Sequence, residues 1–168
     1  MIKFSYSLTI DYYISLMIRK GTKDDLKAAH KLIVELAVYE NAPNEVETTV
    51  ESMETDGFGK NSVFDFFVAE DNGQIVGLAL YYFRYSTWKG RSIYLEDLIV
   101  NEKFRGKGYG KQLLDTIVHE AKKLDCKQVC WQVLDWNEPA INFYKSLDAT
   151  LDGEWINCRL NKEQIQNY

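Results

Sequence analysis

The chain has 168 residues and carries 20 Lys+Arg against 25 Asp+Glu, a net charge of −5. Its length suits one domain, and its 46% hydrophobic and 14% aromatic content excludes disorder, because that much apolar surface offsets the entropy of ordering the chain. No apolar run of roughly 18 residues occurs, so neither a membrane span nor a membrane partner is expected. The acidic balance argues against nucleic acid and is compatible with a cationic partner.

Three cysteines, Cys126, Cys130 and Cys158, cannot build a disulfide framework. They read as reduced thiols in a cytoplasmic protein. His30 and His119 are the only histidines, and no cysteine pair has ligand spacing, so no metal site is expected.

Residues 1–16 stand apart from the rest. They alternate Ser, Thr and apolar residues, with Asp11 interrupting. They lack the continuous apolar core and cleavage site of a signal peptide and read as a dispensable extension ahead of one domain over 17–168. Met17 to Lys20 reads as a short strand. Thr22 with Asp25 resembles a capping box, and Leu26, Ala29, Ile33, Leu36 and Ala37 follow at helical spacing. Asn41 and Pro43 end that helix. Thr48 with Glu51 suggests another N-terminus, with Gly57 as its stop. Runs 63–70 and 74–85 flank Asp71-Asn72-Gly73, a strong hairpin signal. A third strand follows over 92–100, with residues 94, 96 and 98 expected on one face and 95, 97 and 99 on the other. Leu113, Leu114, Ile117, Val118, Ala121 and Leu124 then mark one face of a helix. Lys127 to Leu134 reads as strand, Asn137 caps a helix with Pro139 in its first turn, and Trp155 to Leu160 reads as a last strand. The sum is α+β: an antiparallel meander followed by a β-α-β-α-β half, with parallel pairing across the helical crossover.

The most informative stretch is Arg105-Gly106-Lys107-Gly108-Tyr109-Gly110-Lys111, placed between a strand and a helix. Glycines there let backbone N–H groups converge on a small space, and the helix N-terminus adds a positive dipole. Both features suit phosphate; a glycine-rich turn with solvated lysines is the bland alternative. A Walker A loop is excluded because Arg105 replaces its first Gly and Gln112 its Ser/Thr. A dinucleotide fingerprint fails because its third glycine would fall on Lys111.

Arg105, Gly108 and Gly110 do fit Arg-x-x-Gly-x-Gly, and with them the chain resembles the GCN5-related N-acetyltransferase (GNAT) superfamily. Tyr94-Leu95-Glu96-Asp97-Leu98-Ile99-Val100 looks like that family's central strand, and Trp136-Asn137-Glu138-Pro139 through Tyr144-Lys145 like its final helix motif. Leu36-Ala37-Val38-Tyr39-Glu40 and Asp56-Gly57-Phe58-Gly59 are similar to the diamine/polyamine acetyltransferase group. Ser86-Thr87-Trp88-Lys89-Gly90-Arg91 and Val133-Leu134-Asp135-Trp136-Asn137 are closest to its thialysine N-ε-acetyltransferase branch. Ser86, where the polyamine branch tends to be acidic, and Arg84, an added positive charge, both depart from a polyamine pattern. Leu147-Asp148-Ala149 replaces the family's usual Leu-Gly ending.

The resemblance implies the GNAT fold: a mixed, mainly antiparallel sheet with a central splayed parallel strand pair flanked by helices. It implies an acetyl-CoA-dependent N-acetyltransferase, without metal, acting as a homodimer on the primary amine of a small cationic substrate: thialysine, a lysine-like amine, a diamine or a polyamine. A protein or peptide N-acetyltransferase and a non-catalytic CoA-binding regulator are the alternatives. Coenzyme contacts are expected from Leu98, Ile99 and Val100, from Arg105, Gly106, Lys107, Gly108, Tyr109, Gly110 and Lys111, and from Asn137, Ala140, Tyr144 and Lys145. Tyr144 is the candidate acid for the coenzyme sulfur, one face with Asn137 because seven residues are almost two turns. An N-cap role for Asn137 and a solvated charge at Lys145 are the alternatives. Glu96 is either the base, acting through water, or a charge that only binds the ammonium. Tyr39, Glu40, Trp88, Glu96, Asp97 and Trp131 are candidates to line the amine site, with Trp88 offering either a cation–π face or a core or dimer contact.

Overall fold

Tight turns build the sheet. Asn72 and Gly73 both hold positive φ, 51° and 79°, the backbone of a two-residue hairpin whose twist matches its strands. They join β2 (Asp65–Asp71) to β3 (Gln74–Ser86), and a short turn through Trp88 joins β3 to β4 (Gly90–Val100). β1 (Ile18–Lys20) pairs antiparallel with β2, and β5 (Val129–Cys130) pairs parallel with β4. The result is a five-stranded sheet in the order β1-β2-β3-β4-β5. This computed structural model describes residues 18–168; the N-terminal extension and Met17 of the first expected strand lie outside the described residues. Those described residues divide into two compact units, one running through Trp131 and one spanning Gln132–Tyr168.

In the first unit helices cover both faces of the sheet. On one face α1 (Leu26–Tyr39) and α2 (Val50–Phe58) bring Leu26, Ala29, Leu32 and Met53 against Phe66, Val68, Leu78, Leu80 and Ile99. On the other, α3 (Tyr109–Lys123) buries Tyr109, Leu113, Leu114, Ile117 and Ala121. Gly77 permits that approach: a Cβ there would lie 3.0 Å from Leu113 Cδ1 and 3.1 Å from the Ile99 carbonyl oxygen. Val118, expected on the apolar face of α3, is 47% exposed. Thr49, not Thr48, caps α2 by exchanging hydrogen bonds with Ser52, and α2 runs through Gly57 to a stop at Gly59.

β4 does not alternate as expected. Leu80 opposes Asp97 while the next β3 residue, Tyr81, opposes Leu95, so Glu96 is an extra residue in a β-bulge. Leu78, Leu80 and Tyr82 share one face of β3, and their partners Ile99, Asp97 and Tyr94 therefore share the same face of β4. Asp97 is thus turned to the side of α1 and Tyr94, away from Leu95. A uniform period of two could not reveal this reversal.

β5 is shorter than the expected 127–134 strand. Its pairing ends at Tyr94/Cys130, although β4 continues to Val100. The parallel pair therefore splays apart from Leu95 onward.

In the second unit α4 (Glu138–Lys145) starts at Asn137, whose Oδ1 accepts from the Ala140 N–H at 3.3 Å. It ends with Asp148 at φ 58° and with the Ala149 N–H donating to the Tyr144 carbonyl at 3.2 Å. Asp thus takes the left-handed position usually given to glycine. The strand expected over 155–160 does not form: Trp155 and Ile156 are 74% and 89% exposed. The residues alternate as a strand requires, but a strand also needs a neighbour to satisfy its backbone. A short α5 (Lys162–Gln166), capped reciprocally by Asn161 and Gln164, follows.

The entry to α1 is pinned by charge. Arg19 donates to both oxygens of Asp25, at 2.7 and 2.8 Å, and to Glu70 at 3.0 Å, while the Thr22 N–H and hydroxyl donate to Asp25 at 2.8 Å. The hydrogen bonds from Arg19, partly offset by burial, hold the Asp25 carboxyl at about 2. A depressed carboxylate adds stability above its unfolded value of ~3.9, and that stability is lost as pH falls toward about 2. Asp25→Asn is expected to cost ~1.5–3 kcal/mol at pH 7 and to flatten the acid limb of stability in that window. Urea unfolding across a pH series checks both.

Candidate active site

The bulge assembles a carboxylate cluster on the α1-facing side of β4. Burial, then Glu96, then Glu40 push the Asp97 carboxyl up to about 6. Glu40 follows directly on the last turn of α1 and is itself raised by burial. Glu96 is exposed, and after burial its charge helps raise the Tyr82 phenol on the neighbouring strand and the Tyr94 phenol on its own. Three carboxylates so close together cannot all ionise without cost. A cation placed among them would lower that cost.

Beside this cluster the chain passes from β4 into the glycine loop. Arg105 Nε donates to the Val100 carbonyl at 3.1 Å, and its guanidinium lies 5.0 Å from the centroid of Tyr39, the last residue of α1. Asn101 Nδ2 donates to Glu35 at 2.7 Å. The end of β4, the end of α1 and the loop are therefore held as one piece. Gly106 and Gly108 have φ 77° and 88°, a region that side-chain-bearing residues rarely adopt. A Cβ at Gly106 would meet nothing within 4 Å, and one at Gly108 only Gln112 Nε2 at 3.7 Å. The loop thus leaves open space ahead of the N-terminus of the 15-residue α3, whose first N–H groups have no partner within the helix. That is an anion cradle, and it fits a pyrophosphate.

The basic side chains of this loop are already engaged. Lys107 pairs with Asp71 at 3.6 Å, and Lys111 with Asp115 at 2.6 Å. The cradle's attraction for an anion therefore rests mainly on backbone amides and the helix dipole.

The structure brings Tyr39, Glu40, Glu96 and Asp97 toward the end of β4. Leu98, Ile99 and Val100 occupy the stretch of β4 that β5 no longer pairs. Trp131 is half-buried and follows β5 directly, where the two strands part. Trp88 is not brought in: it is 83% exposed at the hairpin tip, next to Ser86. Ser86 lies six positions along β3 from Leu80, the partner of Asp97, about 20 Å of strand. Tyr82 and Tyr94, whose rings stack 5.3 Å apart, were missed as site residues. Their signal was their pairing opposite one another, which depends on register.

In the second unit, Asn137 caps the helix through its Oδ1. Ala140 is half-buried, and Lys145 is exposed in the last turn of α4. Tyr144 is buried, and burial pushes its phenol up to about 12. It therefore stays protonated at neutral pH, a hydrogen-bond donor by default.

A strand that splays from its parallel neighbour and leads through a glycine loop into a helix defines an acyl-coenzyme-binding acetyltransferase fold. Residues 29–148 match the acetyltransferase (GNAT) family, and the chain belongs to it. It is 36% identical to the thialysine N-epsilon-acetyltransferase of Mus musculus over 163 residues, 90% of this chain and 96% of that protein. The Sus scrofa protein of the same name is 39% identical with the same coverage. Among solved structures, an aminoglycoside acetyltransferase from an uncultured soil metagenomic sample superposes with a TM-score of 0.71 at 21% identity, over 86% of this chain and 94% of that one.

Asp97→Asn tests the cluster. A carboxyl raised in the fold contributes least when ionised, so Asp97 lowers stability as pH rises through about 6. The variant is expected to gain ~1–2 kcal/mol at pH 7.5 and little at pH ~3.5, below the unfolded carboxyl value of ~3.9. Thermal unfolding at the two pH values measures the difference.

Proposed function

We propose that the chain is an acetyl-CoA-dependent N-acetyltransferase that moves an acetyl group directly to the primary amine of a small cationic substrate. Thialysine, lysine-like amines and diamines are the class, polyamines its outer limit. The observation that carries this reading is the carboxylate cluster of Glu40, Glu96 and Asp97 next to an open glycine cradle. The names of the relatives support it. One acetyltransferase domain is the consistent assignment for 17–168, because the family match over 29–148 spans both compact units; the N-terminal extension is then dispensable.

Each group has a part. When bound, acetyl-CoA supplies the acetyl group as a thioester whose thiol is the leaving group. Leu98, Ile99 and Val100 hold its pantetheine arm along the unpaired edge of β4. Gly106, Gly108, Gly110 and the amides of Tyr109 and Lys111 hold its pyrophosphate, with Arg105 and Lys107 framing the loop. Asn137, Ala140 and Lys145 complete its contacts. Alkylammonium groups titrate near ~10, so removing that proton is a real cost. Asp97 and Glu40 hold the cation, and Glu96 accepts the proton through water. Tyr39 and Trp131 flank the amine. Tyr144 keeps its proton at the phenol oxygen for the departing sulfur.

A homodimer accounts for the exposed hairpin tip, where Tyr85 and Trp88 would meet a second copy. The free thiols of Cys126, Cys130 and Cys158 are consistent with the cytoplasm.

The direct test is thiol release from acetyl-CoA with thialysine, lysine, putrescine, spermidine, spermine and a lysine peptide. Turnover of at least one free amine is expected; turnover of the peptide alone would replace this reading. Tyr144→Phe is expected to lower kcat by ~10²-fold with little change in acetyl-CoA affinity. Steady-state kinetics with a separate binding measurement resolves the two.

A further inference from the structure

The α1-facing side of the β3–β4 hairpin carries a cation that the acetyl-transfer chemistry leaves unused. Arg84 opposes Ser92, two residues beyond the Tyr82/Tyr94 pair, so it shares their face. Its guanidinium lies 5.8 Å from the centroid of Tyr94. It is exposed, and no carboxylate among the described residues lies within ion-pair distance of it. Glu96 lies near enough for both charges to act on the same two phenols, with Glu96 raising the Tyr82 and Tyr94 pKa values and Arg84 lowering them. The face therefore runs from a positive end at Arg84, over two stacked tyrosines, to a negative end at Glu96 and Asp97.

We propose that Arg84 is the specificity-determining residue that receives the α-carboxylate of an amino-acid substrate whose side-chain amine sits at Glu96 and Asp97. The assignment rests on the acetyltransferase reading above and adds to it the group that distinguishes an amino acid from a diamine. The dimensions agree. Arg84 lies four residues along β3 from Leu80, which opposes Asp97, about 13 Å of strand. The long side chain of Arg84 leans over Tyr94 and shortens that gap. An extended lysine-like molecule places its carboxylate about 7 Å from its terminal amine, judged from bond lengths. The Tyr82 and Tyr94 rings supply an apolar wall for the methylenes between. A guanidinium offers paired donors that match a carboxylate. The same charge repels the second ammonium of a diamine, so one residue both selects and excludes.

The test compares substrates that share the reacting amine: thialysine, thialysinamide, which lacks only the carboxylate charge, and 2,2′-thiobis(ethylamine), which lacks the carboxylate. Wild-type protein is expected to favour thialysine over both by at least tenfold in kcat/KM. Arg84→Met is expected to collapse that ratio at least tenfold, through KM for thialysine rather than kcat, and Arg84→Lys to restore part of it. Arg84→Glu is expected to turn the preference toward the diamine. A wild-type preference for the diamine, or an Arg84→Met variant that keeps the ratio while activity falls for all three, would overturn the assignment. If wild-type protein acetylates none of the three but does acetylate a lysine peptide, the small-amine reading fails and this assignment falls with it. Turnover of all three at similar rates leaves the acetyltransferase reading standing and removes only Arg84's role.

Discussion

The site depends on one extra residue. Glu96 interrupts the β3–β4 ladder, and everything C-terminal to it on β4 changes face. Without the bulge Asp97 would share a face with Leu95, which lies on the opposite side from Tyr82 and Tyr94. With it, Asp97 turns toward α1 and meets the fields of Glu96 and Glu40. Bulges bend a strand and raise its local twist. Here the bulge lies just beyond the point where β5 stops pairing, so the splay and the reversal occur together.

That arrangement is unfavourable on its own. A half-buried carboxyl among two others is held up near the middle of the pH scale, and the fold gives up stability to keep it there. The core has the means to absorb this. Apolar layers from α1, α2 and α3 cover both faces of the sheet, and the Arg19–Asp25–Glu70 network fixes the entry to α1. The two functional charges also sit on different kinds of support. Carboxylates lie on strand and helix ends, whereas the anion cradle is backbone, with Lys107 and Lys111 already paired to Asp71 and Asp115. The net charge of −5 thus conceals a local field that turns positive where peptide dipoles converge at the glycine loop.

Much of this was legible in the sequence. Asp71-Asn72-Gly73, the helical period from Leu26 and from Leu113, and the Thr22/Asp25 box each state a local preference that the structure obeys. The loop around Arg105-x-x-Gly108-x-Gly110 is legible because one motif glycine, Gly108, and its neighbour Gly106 are needed for backbone reasons, with φ 88° and 77°. What escaped was what depends on partners far away in sequence. A bulge at Glu96 is a property of the β3–β4 register, and Tyr82 opposite Tyr94 follows from the same register. The 155–160 segment has the alternation of a strand, but alternation only prepares a segment for a neighbour. Trp88 fits a cation–π role by residue type, yet its place at the hairpin tip is a matter of strand length.

The central claim is that the bulged face of β4 holds the reacting amine. A crystal structure with coenzyme A and thialysine bound tests it most directly. The account predicts the terminal nitrogen of thialysine within hydrogen-bond distance of the Glu96 or Asp97 carboxylate. Thialysine seated elsewhere, with those carboxylates facing only solvent, would contradict it.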